Sequence, residues 1–299
     1  MRAVFLDCTD DLWQVIESYG LTIPPGLEIL RGDPTPDAIA GACSRADIVL
    51  VEHTAIPNEI LRGSPGLRAV IFMGTGAGTY VDLSVAQSLG IQVLTTPGYG
   101  DRAVAEHAFA LMFSAARDIA RMDREIRSDI WFPRGGMQLG GRKVAVVGLG
   151  GIGSAFARMA DAVGMKVAGW NRSPRDFPFF EKDLEFALSG SDVVSIHLSL
   201  NSETEGLLDA RRLAMPNRGF LLVNTARSQI VAEEALADAL DSGQVGHAAL
   251  DVFEEEPLPE KHPLKMRQSV TLTAHAAYMT DDAYVALWKR AADALESVR

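Results

Sequence analysis

The sequence predicts an α/β fold with two parallel sheets, each covered by helices, and three observations support this prediction. Short apolar runs of strand length alternate with stretches whose apolar residues recur every three or four positions. The alternation stops at a loop rich in glycine, WFPRGGMQLGG at residues 131–141, and then starts again. The second series opens with a strand that runs into a glycine-rich turn. Because strands that alternate with helices form parallel sheets, we expect two Rossmann-like units.

The first third of the chain contains five strand candidates, RAVFL, LEIL, DIVLVE, LRAVIFM and IQVLT. Helical stretches, such as 11–19 and 36–45, separate them. A long helix is predicted from Asp101 to about Asp129. Its apolar stripe includes Val104, Ala108, Leu111, Met112 and Ala115.

The second series contains six strand candidates, KVAVVG, KVAGW, DVVSIHL, GFLLVNT, GHAALDVF and VTLTAH, with helices between most of them. The last segment, Asp281 to Val298, is predicted to be an amphipathic helix. One face of that helix carries Tyr284, Leu287, Trp288, Ala291 and Leu295.

Composition narrows the function classes. The chain has 299 residues, 47% of them hydrophobic, and a formal net charge of −11, which disfavours nucleic acid or an anionic membrane as the main partner. Cys8 and Cys43 are too few for a disulfide framework or a zinc site, and we expect no metal. The N-terminus lacks an apolar signal segment, and no stretch reaches membrane-spanning length. We therefore expect a cytoplasmic protein.

The glycine-rich turn lies in KVAVVGLGGIGSAFARMADAVG and places Gly148, Gly150 and Gly153 in the spacing G-x-G-x-x-G. The turn follows a strand, opens a helix and precedes another strand, which is the context that a dinucleotide site requires. Gly148 permits the tight turn, Gly150 allows a close approach of the pyrophosphate, and Gly153 allows close packing of helix and strand. The amides of Gly151 and Ile152 would point at the phosphates.

Several further fragments occur in one order along nearly the whole chain: AVAEHAFALMF, SIHLSLNSETEGLL, VNTARSQIV, ALDVFEEEP and TLTAHAAYMT. In these fragments and in its glycine loop the chain resembles the D-isomer-specific 2-hydroxyacid dehydrogenases. The resemblance implies a discontinuous flavodoxin-like substrate domain, from residues 1–98 plus 277–299, and an NAD(P)-binding domain from residues 99–276. It also implies a homodimer that associates through the long helix after residue 101.

The resemblance assigns three catalytic residues. Arg227 occupies the position that pairs with the substrate carboxylate, and an arginine can donate two hydrogen bonds to that group. His275 matches the general acid/base, and Glu256 matches the acid that orients it. The chemistry is consistent, because reduction of a 2-oxo acid requires a proton on the carbonyl oxygen and histidine exchanges protons near neutral pH.

The resemblance also assigns binding residues. The substrate carboxylate is expected to meet the amides of the turn MGTGAGTY, near Thr75, Gly76 and Ala77. Residues placed near the cofactor are His197, Thr225, Ala226 and Asp251. Family members often have proline at the positions of Ser199 and Ala274 and a small residue at the position of Tyr278, and these departures leave the charged trio unchanged.

The strand KVAGW ends in Asn171, Arg172 and Ser173, where NAD-using members of the family carry an acid in place of Asn171. Such an acid accepts hydrogen bonds from the ribose hydroxyls of NAD and repels the 2′-phosphate of NADP. Asn171 removes the negative charge, Arg172 supplies a guanidinium and Ser173 adds a hydroxyl. The segment predicts NADP as the cofactor; NAD remains possible through a hydrogen bond to Asn171.

We therefore expect an oxidoreductase that transfers a hydride between NADP(H) and a small 2-oxo or 2-hydroxy acid, such as glyoxylate or hydroxypyruvate. One alternative is an NAD-dependent member that uses another 2-hydroxy acid or phosphite. Another is a non-catalytic nucleotide sensor, although a sensor has no need to retain Arg227, Glu256 and His275 together. The residues that contact the substrate side chain are not identified by the sequence.

Overall fold

The computed structural model describes all 299 residues. The chain forms two compact units. The first comprises Met1–Gly100 together with Met279–Arg299, and the second comprises Asp101–Tyr278. None of the helices has the length and apolar character that a membrane crossing requires.

The first unit contains a parallel sheet of five strands in the order β2-β1-β3-β4-β5, which is the flavodoxin-like order. All five predicted strands are confirmed. The inner three, β1, β3 and β4, are buried along their whole length, because helices cover both faces of a parallel sheet. The strands are β1 (Ala3–Cys8), β2 (Leu27–Arg31), β3 (Ile48–Val51), β4 (Ala69–Phe72) and β5 (Gln92–Thr95).

Three helices of this unit start at short polar side chains that bind the free amides of the first turn. Thr9, Thr35 and Asp82 accept hydrogen bonds from the amides of Leu12, Ala38 and Val85. The helices are α1 (Asp10–Ser18), α2 (Pro36–Arg45), α3 (Asn58–Arg62) and α4 (Leu83–Ser88).

The second unit contains a parallel sheet of seven strands in the order β12-β11-β10-β9-β6-β7-β8. Counted from β6, this is the Rossmann order 3-2-1-4-5-6 with one further strand at the edge. The six predicted strands are confirmed, and β8, only two residues long, was not expected. The strands are β6 (Lys143–Val147), β7 (Lys166–Trp170), β8 (Phe180–Glu181), β9 (Val193–Ile196), β10 (Phe220–Asn224), β11 (Val245–Leu250) and β12 (Val270–Leu272).

The prediction of a single helix from Asp101 to about Asp129 is wrong. The structure has two helices there, α5 (Asp101–Arg117) and α6 (Ile119–Arg127). Asp118 separates them in a left-handed conformation with φ of 54°. The amide of Met137 donates to the carbonyl oxygen of Ala116 at 2.7 Å. A continuing helix would need that oxygen for the amide four residues on, so the returning loop ends α5.

The remaining helices of the second unit lie between its strands. Packing of α5 and α7 against the sheet forms a core that includes Leu111, Met112 and Phe156. The helices are α7 (Gly151–Ala162), α8 (Leu184–Leu188), α9 (Ala210–Leu213) and α10 (Glu233–Asp241).

The chain returns to the first unit as α11 (Asp281–Ser297). The predicted apolar face is confirmed, because Tyr284, Leu287 and Trp288 are all buried. The indole of Trp288 packs against Phe5 of β1 and donates a hydrogen bond of 3.0 Å to the carbonyl oxygen of Thr22. The last helix is therefore part of the core of the first unit.

Candidate active site

The glycine turn between β6 and α7 has little room for side chains. Gly148 has φ of +105°, and a Cβ atom there would lie 2.5 Å from the carbonyl oxygen of His197. A Cβ atom on Gly153 would overlap the carbonyl oxygen of Gly148. The two glycines therefore bring the start of α7 directly against the ends of β6 and β9.

The start of α7 fits the phosphates of a dinucleotide. Gly150 occupies the N-cap position, no side chain caps the helix, and the space where its Cβ would lie is open. The first amides of a helix have no partner within the helix and carry a partial positive charge. In the loop after β10, the buried hydroxyls of Thr225 and Ser228 also have no hydrogen-bond partner. These donors are suited to an anionic ligand.

Asp101, the first residue of α5, places its carboxylate against the Cα atom of Gly151. A Cβ atom at Gly151 would overlap this carboxylate. The close approach explains why a small residue stands at the first position of α7. It also puts a negative charge beside the helix N-terminus, where the partial positive charge stabilises it.

The turn after β7 is tied to the glycine turn. The side-chain oxygen of Asn171 accepts a hydrogen bond of 3.2 Å from the amide of Leu149, and its amide group donates to the carbonyl oxygen of Ser173 at 2.9 Å. Arg172 is exposed and forms an ion pair with Glu203. Glu203 lies in the loop after β9 and was not among the residues predicted from the sequence.

His197 follows β9 and packs against the ring of Phe156 in α7, with 5.0 Å between ring centroids. Its Nε2 atom lies 2.8 Å from the hydroxyl of Ser195, and its Nδ1 atom is buried without a partner. Burial lowers the pKa of His197 to about 3, so the imidazole is neutral at physiological pH. The structure places this residue behind the glycine turn, where its backbone contacts Gly148.

Arg227 lies in the loop that follows β10, next to Ala226 in sequence. Asn224, the buried last residue of β10, shapes this loop: its side chain accepts from the amide of Ala226 at 3.0 Å and donates to the carbonyl oxygen of Arg227 at 2.9 Å. One guanidinium nitrogen of Arg227 donates to the carbonyl oxygen of Ala226 at 2.7 Å. The charged side chain is therefore held by its own loop and remains partly exposed.

His275 and Glu256 form a hydrogen-bonded pair, with 2.6 Å between Nδ1 and Oε2. The other carboxylate oxygen of Glu256 accepts from the amide of Phe253 at 2.9 Å. Burial would raise the pKa of Glu256, but the hydrogen bonds from His275 and Phe253, together with the charge of Arg227, outweigh this effect and lower the pKa. The three residues predicted to be catalytic thus influence one another electrostatically.

Asp251 fixes the loop that carries His275. It is fully buried, and it accepts hydrogen bonds from the hydroxyl of Thr273 at 2.5 Å and from the amides of Ala276 and Ala277 at 3.0 Å each. Between these contacts His275 has φ of 50°, a left-handed conformation that is costly for a residue with a side chain. The hydrogen bonds on both sides hold it there.

His107 of α5 completes this buried network. Its Nε2 atom lies 3.1 Å from the hydroxyl of Thr273 and 3.5 Å from Asp251. Burial would raise the pKa of Asp251, but the hydrogen bonds from His107, Thr273 and the amide of Ala276 lower it. The stabilisation that this carboxylate provides is therefore present above its ordinary pKa and lost as the pH falls through the lowered value.

The structure adds polar residues at the site that the sequence did not indicate: Asn224, Thr273, Ser228 and, in α5, His107. A signal existed for Asn224, because a polar residue at the end of an otherwise apolar strand, FLLVN, requires a buried partner. No comparable signal existed for His107. Its partner Thr273 is 166 positions away, and only the packing of α5 against the sheet brings the two together.

In the first unit, the turn after β4 contains Thr75, Gly76 and Ala77. A short 3₁₀ helix runs from Ala77 to Thr79, and Gly76 precedes it. Thr75 is exposed and Ala77 is buried. The predicted substrate-binding turn thus lies at the carboxyl end of the parallel sheet, which is the edge where ligands of such sheets bind.

Comparison with known proteins identifies the family. The model described as D-isomer specific 2-hydroxyacid dehydrogenase, NAD binding domain, matches residues 109–277. This range is more than half of the chain and contains the glycine turn, Arg227, Glu256 and His275. The chain belongs to the D-isomer specific 2-hydroxyacid dehydrogenases. It is an oxidoreductase with an NAD-binding domain.

Similar proteins cover most of this dehydrogenase. A glyoxylate reductase of Aeropyrum pernix is 36% identical over 251 residues, which are 79% of this chain and 75% of that protein. A D-3-phosphoglycerate dehydrogenase of Archaeoglobus fulgidus is 33% identical over 270 residues, 86% of this chain but only 50% of that protein. Among solved structures, an acyclic imino acid reductase in complex with NADPH and D-Arg is 26% identical, with a TM-score of 0.86 over 100% of this chain and 97% of that one.

The geometry of this dehydrogenase assigns the proton positions on His275. A carboxylate can only accept hydrogen bonds, so Nδ1 carries a hydrogen that it donates to Glu256. The Nε2 atom takes no part in this hydrogen bond.

We predict that Glu256→Gln lowers the rate of 2-oxo acid reduction. Glutamine keeps the size of the side chain but replaces the carboxylate that accepts the hydrogen bond from Nδ1 with an amide, so the imidazole is oriented less accurately. The maximal rate should fall about 10-fold to 100-fold. Initial-rate kinetics at saturating substrate measure kcat.

Glu255→Gln is the matched control, because it removes an adjacent exposed acid that does not contact His275. It should leave kcat unchanged. An unchanged kcat for Glu256→Gln, or an equal loss in the control, would contradict the role assigned to Glu256.

Proposed function

We propose that this dehydrogenase reduces a small 2-oxo acid, of the size of glyoxylate or hydroxypyruvate, to the D-2-hydroxy acid, with NADPH preferred over NADH. The observation that carries the proposal is the hydrogen bond between His275 and Glu256, with the charge of Arg227 close enough to influence that pair. A non-catalytic nucleotide sensor would gain nothing from an oriented histidine with a free Nε2 atom. The similarity to a glyoxylate reductase is consistent with a substrate of this size.

In the proposed reaction each residue has a defined task. Arg227 binds the substrate carboxylate and, with its second donor, polarises the 2-oxo group. A bound nicotinamide supplies the hydride for the carbonyl carbon. His275 donates the proton from Nε2 to the carbonyl oxygen, and Glu256 holds the imidazole in position throughout. In the oxidation of a 2-hydroxy acid the same histidine accepts the proton.

We assign substrate binding to the first unit and dinucleotide binding to the second. The amides near Thr75, Gly76 and Ala77 are the proposed partners of the substrate carboxylate in the first unit. In the second unit the proposed contacts are the amides of the glycine turn for the phosphates and residues 171–173 for the adenosine ribose. Thr225, Ala226, His197 and Asp251 line or support the same region, with Asp251 acting through the loop that carries His275.

The catalytic assignment has a direct test in His275→Ala and Arg227→Ala. Each variant should lose about 10²-fold to 10⁴-fold of kcat, because proton transfer or charge stabilisation is removed. Both should still bind NADPH, which fluorescence titration measures. Arg211→Ala, which removes an exposed arginine paired with Glu185, is the control and should keep full activity. A His275 or Arg227 variant with near-normal turnover would refute the role of that residue.

The loops at the carboxyl edge of the first sheet disfavour a second anionic group on the substrate. Asp7 is buried, and its carboxylate accepts hydrogen bonds from the amides of Glu52, His53 and Thr54. Glu52 is itself buried, and Asp33 contacts the imidazole of His53 at 2.7 Å. The carboxylates of Asp7, Glu52 and Asp33 outnumber the single imidazole of His53, so this edge of the sheet is negative. A phosphate on the substrate side chain would be repelled there.

The oxidation of D-glycerate and D-3-phosphoglycerate tests this inference, because the two acids differ only by the phosphate. We expect kcat/KM for D-glycerate to exceed that for D-3-phosphoglycerate by at least about 5-fold, as one unpaired like-charge contact costs on the order of 1 kcal/mol or more. The measurement is initial-rate kinetics with each acid at the same ionic strength. A preference for the phosphorylated acid would instead favour a phosphoglycerate dehydrogenase, like the A. fulgidus relative.

The turn after β7 supports the proposed cofactor preference. Asn171 carries no charge and is engaged with the backbone of Leu149 and Ser173, so it does not oppose a 2′-phosphate. Arg172 is exposed and positively charged, which suits that phosphate. NADPH is bound in the acyclic imino acid reductase that shares this fold.

We predict that kcat/KM is higher with NADPH than with NADH and that Arg172→Ala reduces the ratio by about 10-fold or more, since a charge-assisted contact to phosphate is lost. Parallel kinetics with the two cofactors measure the ratio. Arg142→Ala, an exposed arginine before β6 that pairs with Asp192, should leave the ratio unchanged. Equal or better use of NADH by the unmodified protein would contradict the NADP assignment.

We also propose that the enzyme is a homodimer that associates through α5, α6 and the loop after them. Exposed apolar side chains gather in this part of the second unit, including Ile126, Ile130 and Trp131, with exposed fractions of 56%, 51% and 84%. Large exposed apolar side chains close together in the chain favour a protein interface. Sedimentation of the intact chain measures the mass of the particle.

A further inference from the structure

The ion pair between Arg172 and Glu203 joins two turns on either side of the glycine turn. Arg172 follows β7 and Glu203 lies in the loop after β9, and in the sheet these strands flank β6 on opposite sides. The side chains are exposed, by 67% and 62%, and their charged groups are in direct contact. A carboxylate therefore stands beside the guanidinium that was expected to select the cofactor.

The backbone around Glu203 is ordered by hydrogen bonds. The side chain of Asn201 accepts from the amide of Glu203 at 2.9 Å. The hydroxyl of Thr204, a buried residue, accepts from the amide of Asn201 at 2.8 Å and donates to the carbonyl oxygen of Ser199 at 2.7 Å. The backbone of Glu203 thus lies in a turn held by hydrogen bonds, which limits the positions that its carboxylate can reach.

The position usually held by an acid contributes no charge to this region. Asn171 is neutral, and both polar atoms of its side chain bind backbone groups. The two charges that contact each other across these turns are those of Arg172 and Glu203. Their signs are opposite, so each opposes the other in its effect on a charged ligand.

We propose that Glu203 is a specificity-determining residue that counteracts Arg172 in the choice between the two nicotinamide dinucleotides. This inference rests on the proposed function, in which residues 171–173 receive the adenosine ribose. The carboxylate of Glu203 competes with a 2′-phosphate for the guanidinium of Arg172 and repels that phosphate. It also accepts a hydrogen bond from the free 2′-hydroxyl of NADH.

The expected effects are moderate because both groups face solvent. Removal of one exposed carboxylate beside a phosphate changes the affinity by about 3-fold to 10-fold at low ionic strength. Loss of a single hydrogen bond to the ribose weakens NADH binding by about 2-fold to 5-fold. Only the first effect is electrostatic repulsion, so it should diminish as salt is added.

The test is a titration of the purified, nucleotide-free protein with NADPH and with NADH, monitored by nucleotide fluorescence at low and at high salt. Glu203→Gln should bind NADPH about 3-fold to 10-fold more tightly and NADH more weakly than the unmodified protein. Glu205→Gln is the matched control, because it removes an exposed acid of the same loop that forms no ion pair with Arg172. It should leave the ratio of the two dissociation constants unchanged.

Arg172→Ala separates the failure of this inference from the failure of the cofactor assignment. If Arg172→Ala weakens NADPH binding while Glu203→Gln leaves the ratio of dissociation constants unchanged, Glu203 has no selective role and the inference is overturned. An equal change for both nucleotides, or an equal effect of Glu205→Gln, overturns it as well. If Arg172→Ala does not weaken NADPH binding, residues 171–173 do not receive the 2′-phosphate, and the cofactor assignment fails.

Discussion

The buried carboxylate of Asp251 determines the shape of the loop on which the proposed chemistry depends. It accepts hydrogen bonds from the hydroxyl of Thr273 and from the amides of Ala276 and Ala277, and so it constrains the backbone on both sides of His275. A charge without partners in this position would be strongly unfavourable, and the hydrogen bonds that offset its desolvation can form only when the loop takes this conformation. The left-handed backbone of His275 is a consequence of that requirement.

The same principle operates at other strand ends of both sheets. Asn224 binds the backbone on either side of Ala226 and thereby holds the loop of Arg227, and Asp7 binds three successive amides after β3 in the first unit. In each case a polar side chain at or near the end of an apolar strand supplies hydrogen bonds that a loop at the same edge of the sheet cannot make within itself. Residues with proposed chemical roles then sit on backbone that is already fixed, which is what positions a catalytic group accurately.

Much of the fold could be predicted from the sequence, because the relevant forces act over short distances along the chain. The strands predicted in both halves are confirmed, as is the buried face of α11. The exceptions have physical causes in the packing. The break at Asp118 arises because the amide of Met137, distant in sequence, takes the carbonyl of Ala116, and the two residues of β8 form a strand only through pairing with β7.

The sequence by itself determined the order of strands and helices, the glycine turn with its steric requirement for Gly148 and Gly153, and the membership in the 2-hydroxyacid dehydrogenase family. These features depend on residue type and spacing, which can be read directly. Only the tertiary structure decided which charges meet. It paired Glu203 with Arg172 and joined His107 to Asp251 through Thr273. Such contacts lie between residues 22 to 166 positions apart. They form because parallel strands bring their carboxyl ends to one edge of a sheet and because α5 packs against that sheet, and no local sequence pattern indicates these neighbours.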